Sequence, residues 1–384
     1  MAAMASSRGW GDLPPDLLAL IADGLTIKAY TRVRAVCTAW RAAIPAASPS
    51  LLVRLDWNRH DAWFLSPRIS TALHERLATL LPDRSVCLGS GHGWVAVHDP
   101  IFYELQFGLV DPLTGVDIPF SSFPHFAEHK LRVSKVVFAP HPTPTDFTAA
   151  AITGHDEGRV ITYTAQGNSG WADAGCPRLG DRDSIADVVY HEERGGGGER
   201  AVYCLATSGD VHVLRLHDAG GAFEPLFDRG NAAFDAAAAF APPYDTIRHC
   251  TNAKNLVACD DGDLYQIWRN NSCTRMGPLP GGGEYRVEYN QMFVLRYHPR
   301  RRPCWVPVED LGGRAVVVGK NNSVALRVDG GGGGGGVPGL RANCVYWTDI
   351  CPARAKVFDM VSGKSTLCFH GVEDHRAICW YFLA

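Results

Sequence analysis

Two glycine-containing motifs and a scatter of histidines are the residues of this 384-residue chain whose types could do chemistry. Gly89–Gly93 has alternating glycines, as some phosphate-binding loops do, and Gly319-Lys320 has the pair that ends another kind of phosphate-binding loop. Such loops lead into a helix N-terminus, whose N–H groups hold the phosphate. The residues after the first motif, Trp94–Val97, alternate like a strand, and the second motif has Arg314 where its first glycine belongs. Neither motif therefore predicts a nucleotide site.

The remaining reactive residue types lack the spacing that catalysis or metal binding requires. The 15 histidines and 12 cysteines are dispersed, without an HExxH, CxxC or GxSxG motif, and His141 and His155 stand apart from other ligands. We therefore predict no catalytic residue, no metal site and no cofactor, and we interpret the cysteines as reduced and buried. The basic run His298–Pro303 is typical of a solvated hairpin loop, with a nuclear-import or phosphate-binding patch as the alternatives.

The composition indicates a folded protein without a general affinity for polyanions. Hydrophobic residues make up 46% of the chain, and the formal net charge is −3. This is too apolar for a disordered protein and offers no general attraction to nucleic acid or to an anionic membrane. The first residues lack the apolar stretch of a secretory signal, and no segment has the ~18 apolar residues of a membrane span. We expect a location in the cytoplasm and/or the nucleus.

Two apolar patterns with helical spacing lie near the start of the chain, and the helices that they predict would position any docking surface there. Leu17, Ile21 and Leu25 recur at every fourth residue and share one helix face, and Pro15 suits the first helical turn. A second helical pattern extends over Tyr30–Ile44. So few helical residues bury little surface by themselves. Their apolar faces either pack on the rest of the chain or bind a partner.

The same segment, residues 10–48, resembles an F-box. The resemblance rests on Leu13-Pro14 at its start, on Val33–Cys37 and on Trp40-Arg41. F-boxes are three-helix units that bind the Skp adaptor of cullin-based ubiquitin ligases, so the resemblance implies a Skp-type adaptor as partner and, through it, a cullin. Carried over by position, the adaptor-binding residues, some of which must hold the module's own helices together, are Leu13, Pro14, Leu17, Leu18, Ile21, Leu25, Val33, Val36, Cys37 and Trp40.

The rest of the chain is predicted to be a linker followed by a β-domain. Residues 49–85 are predicted to be a linker with one short helix, because Leu73, Leu77 and Leu81 have helical spacing. Residues 86–384 contain short alternating runs bounded by turn residues, with glycine-containing hairpin tips near residues 113, 208, 261 and 362. These intervals fit repeats of ~40–50 residues, as in propellers, whereas a sandwich needs fewer strands. We predict six or seven blades.

The β-rich part resembles a plant family as well. Cys87–Trp94, Asp111–Gly115 and Asn343–Asp349 recur in this order in a large family, expanded in cereals, whose members join an F-box to a β-rich domain. Val357–Met360 and Trp380–Phe382 agree with it. The resemblance implies a kelch-like propeller. The predicted fold is thus multidomain, α plus all-β, with a small three-helix F-box followed by a β-propeller-like domain.

Together these features predict a substrate-recognition subunit of a Skp-cullin-F-box ubiquitin ligase complex. Its contribution would be to recruit an unidentified protein substrate for ubiquitination, without catalytic residues of its own. Two alternatives stay open. One is a non-catalytic binding or scaffold protein with a vestigial F-box, and the other is a propeller enzyme such as an oxidase or a hydrolase.

The glycine excess belongs to three runs. Gly195–Gly198, Gly281–Gly283 and Gly330–Gly336 hold 14 of the 40 glycines, and the remainder are present at the usual frequency of about 7%. We predict that the runs are flexible loops between strands.

Overall fold

The structure, a computed structural model, begins with three short helices and continues as strands. It describes residues 13–44, 47–54, 62–65, 75–77, 86–99, 106–120, 132–155, 158–164, 170–175, 179, 183–192, 200–216, 222–225, 239–279, 281–328, 337, 339–348, 354–369 and 376–383. The helices are α1 (Pro15–Asp23), α2 (Ile27–Arg34) and α3 (Thr38–Ala43), and, later in the chain, α4 (Tyr244–Ile247) followed by a 3-10 turn over Arg248–Cys250.

The strands form six blades around a central axis, so the chain is a six-bladed β-propeller preceded by a helical segment. The first three blades contain β1 (Ser50–Arg54), β2 (Ala62–Leu65) and β3 (Glu75–Leu77); β4 (Val86–Gly91), β5 (Trp94–Asp99), β6 (Gln106–Val110) and β7 (Asp117–Pro119); and β8 (Arg132–Phe138), β9 (Ala149–His155), β10 (Gly158–Thr164) and β11 (Ala172–Gly175).

The next two blades contain β12 (Ile185–Glu192), β13 (Arg200–Ala206), β14 (Val211–Arg215) and β15 (Ala222–Pro225); and β16 (Ala253–Ala258), β17 (Leu264–Arg269), β20 (Met292–Tyr297) and β21 (Trp305–Pro307), with a side hairpin of β18 (Arg275–Pro278) and β19 (Glu284–Val287). The sixth blade contains β22 (Arg314–Val317), β23 (Val324–Arg327), β24 (Cys344–Thr348), β25 (Ala355–Asp359) and β26 (Lys364–Leu367). The last strand is β27 (Arg376–Tyr381).

The first blade is a sheet that combines strands from the beginning and the end of the propeller sequence. β27 pairs antiparallel with β1, from Ser50 opposite Tyr381 to Arg54 opposite Arg376, so its sheet has the order β27-β1-β2-β3. The edge strands β27, β4, β8, β12, β16 and β23 form a series in which each contacts the next, and they therefore surround the axis. The C-terminal strand thus lies against the axis, and the strands nearest the N-terminus lie outside it.

The predicted linker over residues 49–85 is wrong, because this stretch supplies three strands of the first blade. The predicted short helix is wrong at Leu77, which ends a strand that pairs with β2; Leu73 and Leu81 lie outside the described residues. The physical reason is that a strand of three to five residues gains its stability from its neighbours. The strand that pairs with β1 comes about 300 residues later, beyond any local pattern.

The hydrophobic core lies between the blades rather than within one layer. Six clusters of buried side chains each join two neighbouring blades, and successive residues of one strand enter different clusters. Val136 of β8 packs towards the second blade and Val137 towards the fourth. A blade buried on both faces requires apolar residues at consecutive positions, as in Leu51–Val53, where all three side chains are fully buried.

Two turns confirm the predicted hairpins and show why their residue types recur. In both, an aspartate Oδ1 accepts a hydrogen bond from the N–H two residues later: Asp111 from Leu113 at 2.8 Å, and Asp359 from Val361 at 3.0 Å. The glycines that end these turns, Gly115 and Gly363, have positive φ. The sequence Asp-x-x-Thr/Ser-Gly is therefore a turn that connects the outer strands of a blade.

A third turn places a glycine against the core of the fifth blade. Gly209 follows β13 with φ of 94°, and a Cβ added there would lie 2.8 Å from Cζ of Phe240 and 3.1 Å from Trp268. Gly262, at the tip between β16 and β17, also has a positive φ, of 86°, but nothing lies within 4 Å of its Cβ position. The first glycine is thus needed for space as well as for its backbone conformation.

The sixth blade departs from the simple pattern. β22 pairs with β23 in an antiparallel hairpin and with β24 in parallel. The connection from β23 to β24 contains Gly330–Gly336, which lie outside the described residues. Val337 N–H donates to Arg327 O at 3.0 Å, so the loop around these glycines begins and ends at adjacent points. Of the other glycine runs, Gly195–Gly198 also lie outside the described residues, and Gly281–Gly283 form the turn between β18 and β19.

Candidate docking surface and channel

The three N-terminal helices form a small unit, the helical module (residues 13–44), with a core of its own. Leu18, Ala22, Tyr30 and Ile44 are buried together. Local signals set the helix starts: Pro15 occupies the first turn of α1, Thr26 Oγ1 accepts from Ala29 N–H at 3.3 Å before α2, and Cys37 Sγ accepts from Trp40 N–H at 3.4 Å before α3. The predicted helical segment is therefore present.

The module rests on the propeller through one side. Ile27, the first residue of α2, packs against the buried cluster that joins the first and second blades, which contains Leu52 and Tyr381. Of the two possibilities that the helical patterns left open, the structure thus shows packing on the main domain at Ile27 and an uncovered apolar surface elsewhere.

The ten residues predicted to bind an adaptor divide into two groups. Five contribute to the module's core or pack against it: Leu13, Leu18, Leu25, Val33 and Trp40. Five are exposed: Pro14, Leu17, Ile21, Val36 and Cys37. The structure does not bring all ten to one surface, because a helix of nine residues cannot present Leu17 and Leu18 to the same side.

The candidate docking surface consists of the exposed large apolar side chains of the module, which are Leu17, Leu20 and Ile21 of α1 and Val36 before α3. Their exposed fractions are 48%, 69%, 47% and 61%. Leu20 was not among the predicted residues, because the prediction followed the i, i+4 series from Leu17. Leu20 is three residues after Leu17 and therefore lies on the same helix face. Three exposed apolar side chains on one helix are typical of a surface that a partner covers.

The propeller channel is crossed by the loop between β22 and β23. Asn322 Oδ1 accepts from Tyr190 N–H at 2.9 Å, and its Nδ2 donates to Tyr190 O at 3.1 Å. Asn322 N–H donates to Ser90 O at 2.9 Å, and Lys320 Nζ donates to Cys87 O at 2.8 Å. A loop of the sixth blade therefore contacts the axial strands of the second and fourth blades, which requires it to cross the axis. Lys320, the lysine of the Gly319-Lys320 motif, therefore already has a hydrogen-bond partner in the second blade.

A buried ion pair holds three axial strands together. Lys135 Nζ of β8 lies 2.6 Å from Asp187 Oδ1 of β12, and the two side chains are 6% and 2% exposed. The other carboxylate oxygen, Asp187 Oδ2, accepts from Asn255 Nδ2 at 3.2 Å and from Leu256 N–H at 2.9 Å, both in β16. The charges of Lys135 and Asp187 are therefore paired with each other and with hydrogen-bond donors inside the fold.

His92 and His141 do not form a metal site within the described part of the chain. His92 and His141 both have positive φ, at 50° and 54°. Burial, followed by the nearby His141, lowers the pKa of His92, because both disfavour its charged form. Among the described residues, no group of three or more His, Cys, Asp or Glu is placed to hold an ion.

The cysteines are reduced in the described residues. Ten are free, and seven of them are buried. Burial raises the pKa of Cys259 to about 12, so its thiol stays protonated at neutral pH. Across the described ranges, no helix is long and apolar enough to span a membrane.

Comparison with known proteins identifies the propeller. The sequence pattern of the KIB1-4 beta-propeller family matches residues 64–378. No curated protein matches the chain. Solved structures are similar at low identity: the nidogen/laminin complex (11% identity, 87% of this chain and 97% of that chain, TM-score 0.39), and TolB from Acinetobacter baumannii (9%, 83% and 62%, TM-score 0.39). YCF48 from Cyanidioschyzon merolae is another (12%, 72% and 94%, TM-score 0.32). The match over most of its length shows that the chain belongs to the KIB1-4 beta-propeller family.

Proposed function

We propose that the protein is the substrate-recruiting subunit of a Skp-cullin-F-box ubiquitin ligase, acting in the cytoplasm and/or the nucleus. The helical module would bind a Skp-type adaptor and, through it, a cullin. The propeller would hold the target protein. No residue of this chain would take part in bond making; its contribution would be to keep the target near the ubiquitin-conjugating enzyme.

The observation that carries the proposal is the candidate docking surface on the module. The string of residue types in 10–48 resembles an F-box, and Leu17, Leu20, Ile21 and Val36 are about half exposed or more. Burying a Leu or Ile side chain fully contributes roughly 1.5–3 kcal/mol. A partner that covers these four side chains therefore gains several kcal/mol, and an amphipathic helix in a groove is a common form of such contacts.

The division of the ten residues sharpens the proposal. Leu18 is 2% exposed and packs within the module, so it would support the shape of the surface without touching the adaptor. Leu17 and Ile21 point away from that core and would make the contact. Ile27 fixes the module against the propeller, which would give the bound target a defined position relative to the adaptor.

The test is capture of the full chain by a purified Skp-type adaptor. We expect the wild type to bind and Leu17→Asp/Ile21→Asp to lose capture, because two carboxylates would be buried without partners. Val361→Asp is the matched control: Val361 is 84% exposed on the propeller, and its variant should bind as the wild type does. Both variants should retain the thermal transition of the wild type.

The proposal fails if the wild type does not bind, which would favour a scaffold protein with a vestigial F-box. It also fails if the Leu17→Asp/Ile21→Asp variant binds as tightly as the Val361→Asp control. The double variant could still hold the target but could not bring it to the ligase. If adding it to a reaction with the wild type reduces ubiquitination of the target, the result extends from binding to function.

A further inference from the structure

The hairpin tip between β20 and β21 carries three consecutive arginines on a well-defined turn. We call residues 298–303 the arginine tip. His298 N–H donates to Cys304 O at 2.7 Å and Arg301 N–H to His298 O at 3.1 Å. Arg302 Nη1 donates to Pro299 O at 3.2 Å and to Arg301 O at 2.8 Å. The backbone of the tip is therefore held in one shape before any partner arrives.

Buried residues anchor the tip to the fifth blade. Cys304, directly after the tip, is 2% exposed, and its Sγ donates to Ala239 O at 3.6 Å. Trp305 is fully buried and packs near Phe240 and Tyr297. A tip fixed at its base costs little entropy when it binds, because its backbone is already ordered.

The positive charges of the tip are not neutralised by carboxylates within the described part of the fold, although the Arg302 guanidinium donates to two backbone carbonyls. Arg300, Arg301 and Arg302 are all exposed, and among the described residues none of them forms an ion pair with a carboxylate. The adjacent arginines differ. Arg296 Nη2 lies 2.5 Å from Asp263 Oδ1, and Arg314 pairs with Asp261. The neighbouring carboxylates are thus already engaged by other arginines.

His298, at the start of the tip, lies among charged side chains. Burial, followed by Arg301 and Arg296, lowers the pKa of this imidazole, while Asp263 acts in the opposite direction. Arginines lower a histidine pKa because a second positive charge nearby disfavours protonation. Because its three exposed arginines have no carboxylate partner among the described residues, the tip is locally positive although the whole chain has a formal net charge of −3.

We propose that the arginine tip binds an acidic segment of a partner protein. Exposed arginines on an ordered turn match carboxylate groups, because each guanidinium can donate two parallel hydrogen bonds to one carboxylate. The inference rests on the proposed function in one respect: in a ubiquitin ligase the acidic segment would belong to the target. The binding itself requires no adaptor.

A nucleic acid fits the surface less well. Binding to a duplex or a single strand uses a basic groove with many phosphate contacts, often with aromatic side chains on which bases stack. Here the unpaired arginines are confined to a tip of three residues, and Asp261 and Asp263 lie beside the adjacent arginines. A turn with three exposed arginines offers too few phosphate contacts for a long strand, but it is large enough for a short acidic peptide.

The experiment measures binding of a fluorescein-labelled twelve-residue polyglutamate peptide to the full chain by fluorescence anisotropy at low salt. We expect saturable binding that weakens with added NaCl, because salt screens exposed charges. Arg300→Glu/Arg301→Glu should weaken binding about tenfold or more, since two attractive pairs are replaced by two repulsive ones. Arg300→Ala/Arg301→Ala should show a smaller loss in the same direction.

The matched control is Arg275→Glu/Arg286→Glu on the side hairpin of the same blade. Both of these arginines are exposed, and the variant has the same change in net charge as the tip variant. It should bind the peptide within about twofold of the wild type, because its charges lie elsewhere on the surface. Circular dichroism melting of each variant shows that the fold is retained.

Three results would overturn the inference. The first is absence of peptide binding by the wild type at low salt. The second is an equal loss in the tip variant and the control, which would indicate a response to net charge alone. The third is tighter binding of a labelled twelve-nucleotide DNA strand than of the peptide, with the loss again at the tip. None of these involves the adaptor, so adaptor capture by the module would stand or fall separately.

Discussion

Replacing Asp187 by alanine should destabilise the propeller more than any exposed charge change. Its carboxylate joins three blades, through Lys135 Nζ at 2.6 Å, Asn255 Nδ2 at 3.2 Å and Leu256 N–H at 2.9 Å. The variant leaves a buried ammonium group without its counter-charge, and a backbone N–H without an acceptor. Removing one partner of a buried ion pair typically costs about 3–5 kcal/mol.

The two partners should not be equivalent. In Lys135→Ala, the Asp187 carboxylate keeps two hydrogen-bond donors, which offset part of the cost of its buried charge. We therefore expect Lys135→Ala to cost less than Asp187→Ala. The double variant Lys135→Met/Asp187→Leu removes both charges and should be closer in stability to the wild type than Asp187→Ala is, because no charge remains buried alone.

The measurement is thermal unfolding followed by circular dichroism. At about 2.1 cal/mol/K per residue for a propeller of roughly 330 residues, a loss of 3–5 kcal/mol lowers Tm by about 4–7 °C. The control is the pair Arg286–Glu288, whose atoms are also 2.6 Å apart but whose side chains are both more than half exposed. Glu288→Ala should cost less than about 1 kcal/mol. Equal losses in Asp187→Ala and Glu288→Ala would refute the reasoning, since burial would then not decide the energy.

Three further predictions concern backbone, titration and loop length. Gly209→Ala should lower the free energy of unfolding in urea by about 2–4 kcal/mol, because the residue has a positive φ and its Cβ would overlap with the core. Gly262→Ala should cost only the backbone part, about 1–2 kcal/mol. Equal costs for the two variants would contradict the role of packing at Gly209. Burial, followed by Arg248, lowers the pKa of Lys254 to about 7, against about 10.4 in the unfolded chain. Between pH 7 and about 10.4 the unfolded state binds one more proton than the folded state, so the free energy of unfolding rises with pH by up to about 1.4 kcal/mol per pH unit. Lys254→Met should remove that rise between pH 7 and 9. Deleting Gly331–Gly336 should change stability by no more than about 1 kcal/mol, because loop-closure entropy varies slowly with length; a drop in Tm of several degrees would show that the run is structural.

The local patterns predicted the elements well where each element is stabilised by its neighbours in sequence. The hairpin over Leu205–Val213 and the turn at Asp111–Gly115 are present as predicted, because an aspartate or glycine at a tip acts through its own backbone. The stretch 49–85 was predicted wrongly for the opposite reason. Its first strand pairs with Arg376–Tyr381, and nothing near Ser50 in the sequence reports that partner.

The candidate docking surface shows a similar limit. The apolar pattern of the first helix identified Leu17, Leu18 and Ile21 together, but periodicity does not tell which face meets the module's own core. The structure buries Leu18 against Tyr30 and leaves Leu17, Ile21 and the unpredicted Leu20 exposed. Only the packing of three helices against one another separates the two faces.

What the sequence by itself determined is the type of each part: a helical N-terminal segment, β-structure beyond it, and the absence of a recognisable catalytic motif. These follow from periodicity and turn chemistry, which act over a few residues. The tertiary structure decided the closure of the first blade, the loop that crosses the channel at Asn322, and the burial of Lys135 with Asp187. Each depends on residues far apart in the chain, and their energies arise only when the ring of six blades brings them into contact.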